Sequence, residues 1–466
     1  MPDRLSPLDA SFLYLEEPTT AMHVGSVSIF QAPPGGFDYE QLVALVSARI
    51  AYVPRYRQRV RAVPGRLANP VWVDDEAFDV AYHVRRSALP RPGDDEQLFE
   101  LVGRVQARAL DRTRPLWELY LVEGLRRGRF AIVTKTHQAL VDGVNAVDIA
   151  QVILDDTAEA AERPADTWTP AKGPSDLELV ASAIADVVRS PGELAEVVRS
   201  GTSDVAATAG KVVGQLGHLL SVAARSAARP TPTSPLNAAI GEHRRFAVAT
   251  TSLQDHRAVR TTKDHNVNDV VLATIAGGLR SWLLTRGEPV VPATVVRVLV
   301  PVSVEPETPD ASYRIGNRMA AIVVDLPVGE PNPSIRLHQI SYALREHGET
   351  GRAVEAQALV GIAGFAPPTL HSLGARVASA ASRRLFNLVV TNVPGPQHPL
   401  YAGGARMLAS YPVIPLARGQ ALSIGLTSYD GGVYYGLNAD RDAMPDVGVL
   451  AGCIVEALAE LVETGT

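Results

Sequence analysis

Residues 135–144 read KTHQALVDGV, and several of their side chains can do chemistry together. His137 is a proton acceptor that works near neutral pH. Asp142 followed by Gly143 would close a tight turn: the carboxylate holds it through charge-assisted bonds, and the glycine permits an unusual backbone angle. Such a set suits acyl transfer from a thioester to an alcohol. That reaction needs a base for the alcohol proton, stabilisation of the tetrahedral oxyanion, and both substrates held in line away from water. The spacing raises a difficulty. An H-x-x-x-D-G pattern counted back from Asp142 and Gly143 lands on Gln138, not on His137. On its own the stretch also fits a strand end followed by a turn, since Asp-Gly is common in turns.

These residues must be carried by regular elements. FAIVTKTH (130–137) is short and β-branched, so His137 falls at the end of a strand; HVGSVSIF (23–30) reads the same way. YEQLVALVSARI and DEQLFELVGRVQARAL have helical spacing, the second with Leu98, Leu101, Val102, Val105 and Ala109 on one stripe. From 157 to 175 the chain turns Ala-, Pro- and Thr-rich and reads as a linker. Residues 175–228 read as helices. Ser175 and Glu178 form a capping box, and Val180, Ile184, Val187 and Val188 form an apolar stripe. Ser-Pro-Gly at 190–192 breaks this helix. Patterns at Leu194, Val197 and Val198, then at Val212, Val213, Leu216, Leu219 and Leu220, follow before RPTPTSP (229–235). After about 240, a capped helix (NVNDVVLATIAGGLRSWLL) and strands at 294–304, 319–328, 385–393, 421–431 and 433–440 alternate. The expected organisation is mixed α/β: an N-terminal domain at 1–160, a linker and helical connector at 161–238, and a C-terminal domain at 239–466.

The bulk numbers agree. The chain has 466 residues, 46% hydrophobic and 20% charged, enough for more than one sizeable core. The single cysteine, Cys453, rules out a disulfide framework within the chain and fits a reducing cytoplasm. A net charge of −6 offers no basic surface for a polyanion, which argues against nucleic acid. The start (MPDRLSPLDA) lacks the apolar core of a signal peptide, and no run of about 18 apolar residues would span a membrane as a helix.

The chain resembles the bacterial wax ester synthase/acyl-CoA:diacylglycerol acyltransferase family over essentially its whole length. The resemblance is carried by LSPLDASFLYLEEPTTAMHVGSVSIF, by RPLWELYLVEGL (114–125), by KTHQALVDGV, by NVNDVVLA (266–273), by GNRMAAIVVDLPV (316–328), and by NLVVTNVPGPQHPLYAGGARM (387–407) with the segment at 411–441. Their order makes the set specific. It implies two chloramphenicol-acetyltransferase-like domains with a substrate tunnel between them. It also implies a reaction: acyl-CoA plus diacylglycerol or a long-chain alcohol gives triacylglycerol or wax ester plus CoA. Acyl-CoA is then substrate, and no cofactor or metal is expected. A cytoplasmic enzyme is implied, with the inner membrane or lipid droplets as surfaces for peripheral contact.

The departure falls at the decisive position. The family's active-site motif has two histidines, three residues, then Asp-Gly, and its second histidine is taken as the general base. That position is Gln138 here, and His137 matches the first histidine, whose role is read as supporting. An amide cannot accept the proton, though it can orient a hydroxyl. If the strand stays extended, His137 and Gln138 face opposite ways, and His137 would need a bulge or early turn to serve as base. Three outcomes stay open: His137 as base, a slow base-free enzyme, or a degenerate member that binds acyl-CoA or lipid without turnover.

The resemblance also points to a substrate channel near Pro115, Leu116 and Trp117, to Asn268 and Asp269, and to Asn392, Pro394 and Gly395. Each has a structural explanation as well. Trp117 fits a core anchor, Asn268 and Asp269 fit a helix start, and Pro394 with Pro396 fits an irregular strand end. Arg55, Arg57, Arg59 and Arg61 would share one face of an extended strand, either a charged edge or a surface for CoA phosphates. The connector at 175–228 has amphipathic stripes with balanced charge, which fits packing across the two domains or docking on lipid.

Overall fold

The computed structural model describes residues 3–141, 149–159, 167–189, 232, 234–259, 265–303, 319–349, 354–355 and 385–465. Asp142, Gly143 and the connector patterns beyond residue 189 lie outside the described residues.

The first half runs β1 (Asp3–Arg4), α1 (Pro7–Leu15), β2 (His23–Gln31), α2 (Tyr39–Arg49), β3 (Gln58–Arg61), β4 (Val71–Asp74), α3 (Val80–His83), β5 (Val84–Ala88), α4 (Asp95–Ala107), β6 (Trp117–Leu125), β7 (Arg129–His137), α5 (Gln138–Val141), α6 (Ile149–Val152) and α7 (Asp176–Arg189). The second half contributes β8 (Arg244–Ser252), α8 (Leu253–Val259), α9 (Val267–Thr285), β9 (Val296–Ser303), β10 (Met319–Leu326), α10 (Pro333–Glu349) and β11 (Val354–Glu355). It continues with β12 (Leu388–Pro394), β13 (Tyr401–Ala402), β14 (Ala405–Val413), β15 (Leu422–Tyr429), β16 (Gly432–Asp440) and α11 (Val447–Gly465). Capping boxes set the helix starts. Asp38 with Gln41 opens α2, Asp94 with Gln97 opens α4, and Asn266 with Asp269 opens α9.

A six-stranded sheet has the order β13-β14-β2-β7-β6-β5, and a seven-stranded sheet has β11-β10-β9-β12-β15-β16-β8. Each is a mixed sheet with its own apolar core. The halves do not separate cleanly at residue 239. β13 and β14 belong by sequence to the second half, yet β14 pairs antiparallel with β2 in the first sheet. Without them, β2 would be an edge with unpaired backbone groups. Ala405, Met407, Ala409, Tyr411 and Val413 alternate inward along β14 and join the first core. Tyr429, Tyr434 and Phe246 from the second half join it too.

Two expectations are corrected in detail. Arg55 and Arg57 lie in a single 3₁₀ turn at Pro54–Arg57, so only Arg59 and Arg61 are on β3. Arg57 is buried and covers the ring of Trp168 at 4.7 Å, while Arg55 covers Trp72 at 5.0 Å. The buried face of α7 is Leu179 and Ala183, against Val63, Val71 and Val73 of the first half, rather than the Val180–Ile184 stripe. The small Ala183 side chain lets α7 approach the β3–β4 ribbon, and Arg61 ties its start through Asp176 at 2.7 Å. Ile184 is left 55% exposed and Leu177 81%.

Candidate active site

β7 brings His137 to the end of the first sheet. Antiparallel pairing with β2 puts His137 directly opposite His23. Next to this end the strands are pressed together at Gly25, where any Cβ would collide with the Thr134 carbonyl oxygen. The backbone N–H of His137 donates to the Leu116 carbonyl at 2.9 Å, and that of Gln138 donates to the Met22 carbonyl at 2.8 Å. The strand then turns into α5. His137 is fully buried and Gln138 half-buried, so the two adjacent side chains do face different surroundings.

The ring of His137 is engaged on both sides. Its Nδ1 accepts the Ala139 backbone N–H at 3.0 Å, which makes it the cap of α5. Its Nε2 lies 3.7 Å from Glu16 Oε2, beyond hydrogen-bond length but within ion-pair reach. The other oxygen of Glu16 is 3.1 Å from His23 Nε2. Arg112 donates from Nε to Glu16 Oε2 at 3.0 Å and from Nη2 to the Leu13 carbonyl at 2.9 Å. Burial pushes the Glu16 carboxyl up, but its contacts with His137 and His23 outweigh that and hold it well below the usual carboxylate range. Burial pushes His23 down to about 4, so it is neutral at pH 7.

Lys135 lies two residues back on β7, with no exposed surface. Its ammonium donates to the Val105 carbonyl at 3.0 Å and to that of Arg108, at the negative end of α4. Glu118 on β6 stands 3.9 Å away and is itself bound by Arg85 at 2.9 Å and the Tyr120 hydroxyl at 2.7 Å. Burial pushes Lys135 down to about 8. These ionic groups support the end of β7 from beneath.

The Pro115-Leu116-Trp117 segment is buried throughout. Trp117 donates from Nε1 to the Tyr56 carbonyl at 2.7 Å and stacks on His83, ring centroids 4.6 Å apart. Leu116 supplies the carbonyl that fixes His137. Here the segment anchors the motif strand. In the second half, Asn268 and Asn392 meet: Asn392 Nδ2 donates to Asn268 Oδ1 at 3.3 Å, joining the start of α9 to the end of β12. Asp269 is 2% exposed; its Oδ2 accepts the Asn266 N–H at 2.9 Å and the Ser341 hydroxyl at 3.0 Å, so it works as a helix cap. Pro394 ends β12, and Gly395 sits where a Cβ would strike the Ser428 carbonyl.

Residues 5–271 match the family described as wax ester synthase/diacylglycerol acyltransferase catalytic domain, and residues 315–462 match its WS/DGAT C-terminal domain. The chain belongs to this family. It is 34% identical to the "probable diacylglycerol O-acyltransferase tgs1" of Mycobacterium tuberculosis over 463 residues, 99% of this chain and 96% of the relative. It is 47% identical to "probable diacylglycerol O-acyltransferase tgs3" of the same species over 265 residues, 57% of this chain and 97% of that one. The solved wax ester synthase/diacylglycerol acyltransferase of Marinobacter aquaeolei VT8 superposes with a TM-score of 0.70 at 28% identity, covering 99% of each chain. The starter condensation domain of rhizomide synthetase, at 14% identity and TM-score 0.53, shares the fold alone.

The motif in the sequence marks His137 and Gln138 but not Glu16, Arg112 or Lys135. Glu16 sits in a run of mixed character (LYLEEPTTAM) where no periodicity marks it. Lys135 did carry a signal: a lone cation in the middle of a β-branched run must find buried partners.

Proposed function

We propose that the protein is an acyl-CoA-dependent diacylglycerol O-acyltransferase, producing triacylglycerol and free CoA, with long-chain alcohols as a second acceptor class giving wax esters. One observation carries the reading. Gln138 is presented at the end of β7, at the family's motif, in a chain that follows the family over nearly its whole length.

The acceptor oxygen attacks the thioester carbonyl, a C–O bond forms, and collapse of the tetrahedral intermediate breaks the C–S bond. The hydroxyl proton ends on the CoA sulfur, so the reaction balances without an external acid or base. The thioester is already activated, and no cofactor is needed. Gln138 accepts the hydroxyl hydrogen bond at Oε1 and donates from Nε2, which orients the attacking oxygen without removing its proton. His137 supports rather than accepts: its Nδ1 lone pair is used by Ala139 and its Nε2 faces Glu16. Asp142 and Gly143, which complete the family's motif, lie outside the described residues. Asn268, Asn392, Pro394 and Gly395 line the second half's side of the substrate path, and Pro115, Leu116 and Trp117 anchor the first.

A diacylglycerol resides in lipid, so the enzyme meets it at a membrane or droplet surface from the cytoplasmic side. The exposed Leu177 and Ile184 on α7 support such contact. Among the described residues no helix is long and apolar enough to cross a membrane.

The test is incubation of purified protein with labelled acyl-CoA and diacylglycerol. Equal amounts of labelled triacylglycerol and free CoA thiol are expected. Acyl-CoA binding by calorimetry with no product would overturn the reading in favour of a binding protein.

A further inference from the structure

We infer that Glu16 is a positioning residue of the acyl-transfer site: it fixes the ring of His137 and, through that ring, the turn that presents Gln138. The inference rests on the proposed function and deepens it.

The geometry closes in a chain of contacts. Arg112 ties the Glu16 carboxylate to the last turn of α1 through Leu13. The carboxylate, its side chain only 9% exposed, faces Nε2 of His137. On the far side of the ring, Nδ1 accepts the Ala139 N–H. That N–H is one of the first in α5 and has no partner inside the helix. A nitrogen that accepts carries no proton, so in the neutral ring the proton sits on Nε2, aimed at the carboxylate. The opposite tautomer would set N–H against N–H at Ala139 and a lone pair against the carboxylate. Glu16 therefore selects the tautomer that can cap α5. Gln138 lies between the two ends of that cap, and its own N–H is held by Met22. Its backbone position is set by a closed ring of contacts that begins at Glu16.

Arg112 binds only the Oε2 oxygen of this buried carboxylate, and the Met22 backbone N–H donates to Oε1 at 3.4 Å. Here the second oxygen also reaches His23, which sits opposite His137 on the paired strand. One carboxylate thus stands beside both strand ends.

The experiment combines spectroscopy with kinetics on the full chain. Imidazole ¹⁵N shifts of histidine-labelled protein report the tautomer, with His137 assigned by the signal lost in His137→Asn. The wild type should show the Nε2–H form. Glu16→Ala should lose that single signature and lower kcat by about 10²-fold, the effect of a small misplacement of a reacting group, with KM for acyl-CoA little changed. Asn caps helices through Oδ1 and has no tautomer to fix. Adding Glu16→Ala to His137→Asn should therefore lower kcat only slightly further. An unchanged His137 tautomer in Glu16→Ala, or equal kcat losses in both backgrounds, overturns the inference. Circular dichroism checks folding; if Glu16→Ala is unfolded, Glu16→Met, which keeps the bulk and removes the acceptor, gives the same two readings. A wild type with no acyl transfer defeats the functional reading, while the tautomer measurement still decides the role of Glu16.

Discussion

The Nδ1 atom of His137 accepts the backbone N–H of Ala139 at 3.0 Å, so the motif's one histidine is a helix cap. Both residues are buried, and the bond closes over Gln138. The arrangement explains how an acyltransferase motif can keep its first histidine while its second position holds an amide. In the proposed mechanism the two positions have separable work, one structural and one facing substrate.

The first prediction follows from the cap. His137→Leu removes the acceptor and leaves the Ala139 N–H unpaired, at a cost of about 1 kcal/mol, or more if Glu16 is also left without its partner. His137→Asn restores an acceptor and should recover most of that loss. Urea denaturation of the two variants measures the difference; equal stabilities would show that the cap contributes nothing.

A second prediction concerns the missing base. Gln138→His places an imidazole where, in the proposed mechanism, the half-buried amide meets the acceptor. Positioned general bases contribute about 10²–10⁴-fold, so kcat should rise by some part of that range. The pH profile should change shape as well. The amide does not titrate, so an acid limb near the ordinary histidine value, about 6.5, should appear only in the variant. A variant no faster than wild type, with the same profile, would mean that position 138 does not meet the acceptor hydroxyl.

A third prediction is stability against pH. His23 is pushed down by burial from 6.5 to about 4, so between those values the unfolded chain binds a proton that the folded chain does not. Stability is full above pH 6.5 and falls as pH drops towards 4, by about 3 kcal/mol for this one group. Glu16, held below its usual range, acts at still lower pH: its contribution is present above its unfolded value and is lost as pH falls beneath it. Lys135 on β7 adds to its resistance to protonation, and the Glu16 carboxylate works against it. Melting temperatures from pH 7.5 to 4.5 should decline steeply in wild type and less so in His23→Gln. Parallel curves would remove His23 as the cause.

How far the site could be read in advance depends on the range of each interaction. β2, β7, α2, α4 and α9 follow local apolar periodicity and capping pairs, and they lie where the periodicity places them. β7 ends at His137 and Gln138 opens α5, so strand alternation alone does not set how these two side chains face. The residues of β14 alternate, but its membership in the first sheet depends on pairing with β2, nearly 400 residues away. Glu16 meets His137 across 121 positions, and Arg112 closes the set from a third segment. Nothing local marks such a contact. For α7 the amphipathic pattern was legible but its phase was not, since the small Ala183 rather than Ile184 turned inward.

The last prediction tests whether the second half takes part through one unit. Asn268, in the first turn of α9, and Asn392, near the end of β12, come from segments 124 positions apart and share the 3.3 Å hydrogen bond. Both are half-buried, so neither has its polar groups fully committed to the fold. Asp269 beside them is buried, and its Oδ2 is bonded to Asn266 and Ser341. If they act together on acyl-CoA or acceptor, Asn268→Ala and Asn392→Ala should each lower kcat/KM, and the double variant should be no worse than the poorer single. Their coupling should fall in the range of about 0.5–3 kcal/mol seen for contacting residues. Should the coupling appear in urea unfolding while kcat/KM stays at the wild-type value, the pair merely fastens α9 to β12. Additive losses in kcat/KM would instead mean that the two asparagines act on substrate independently.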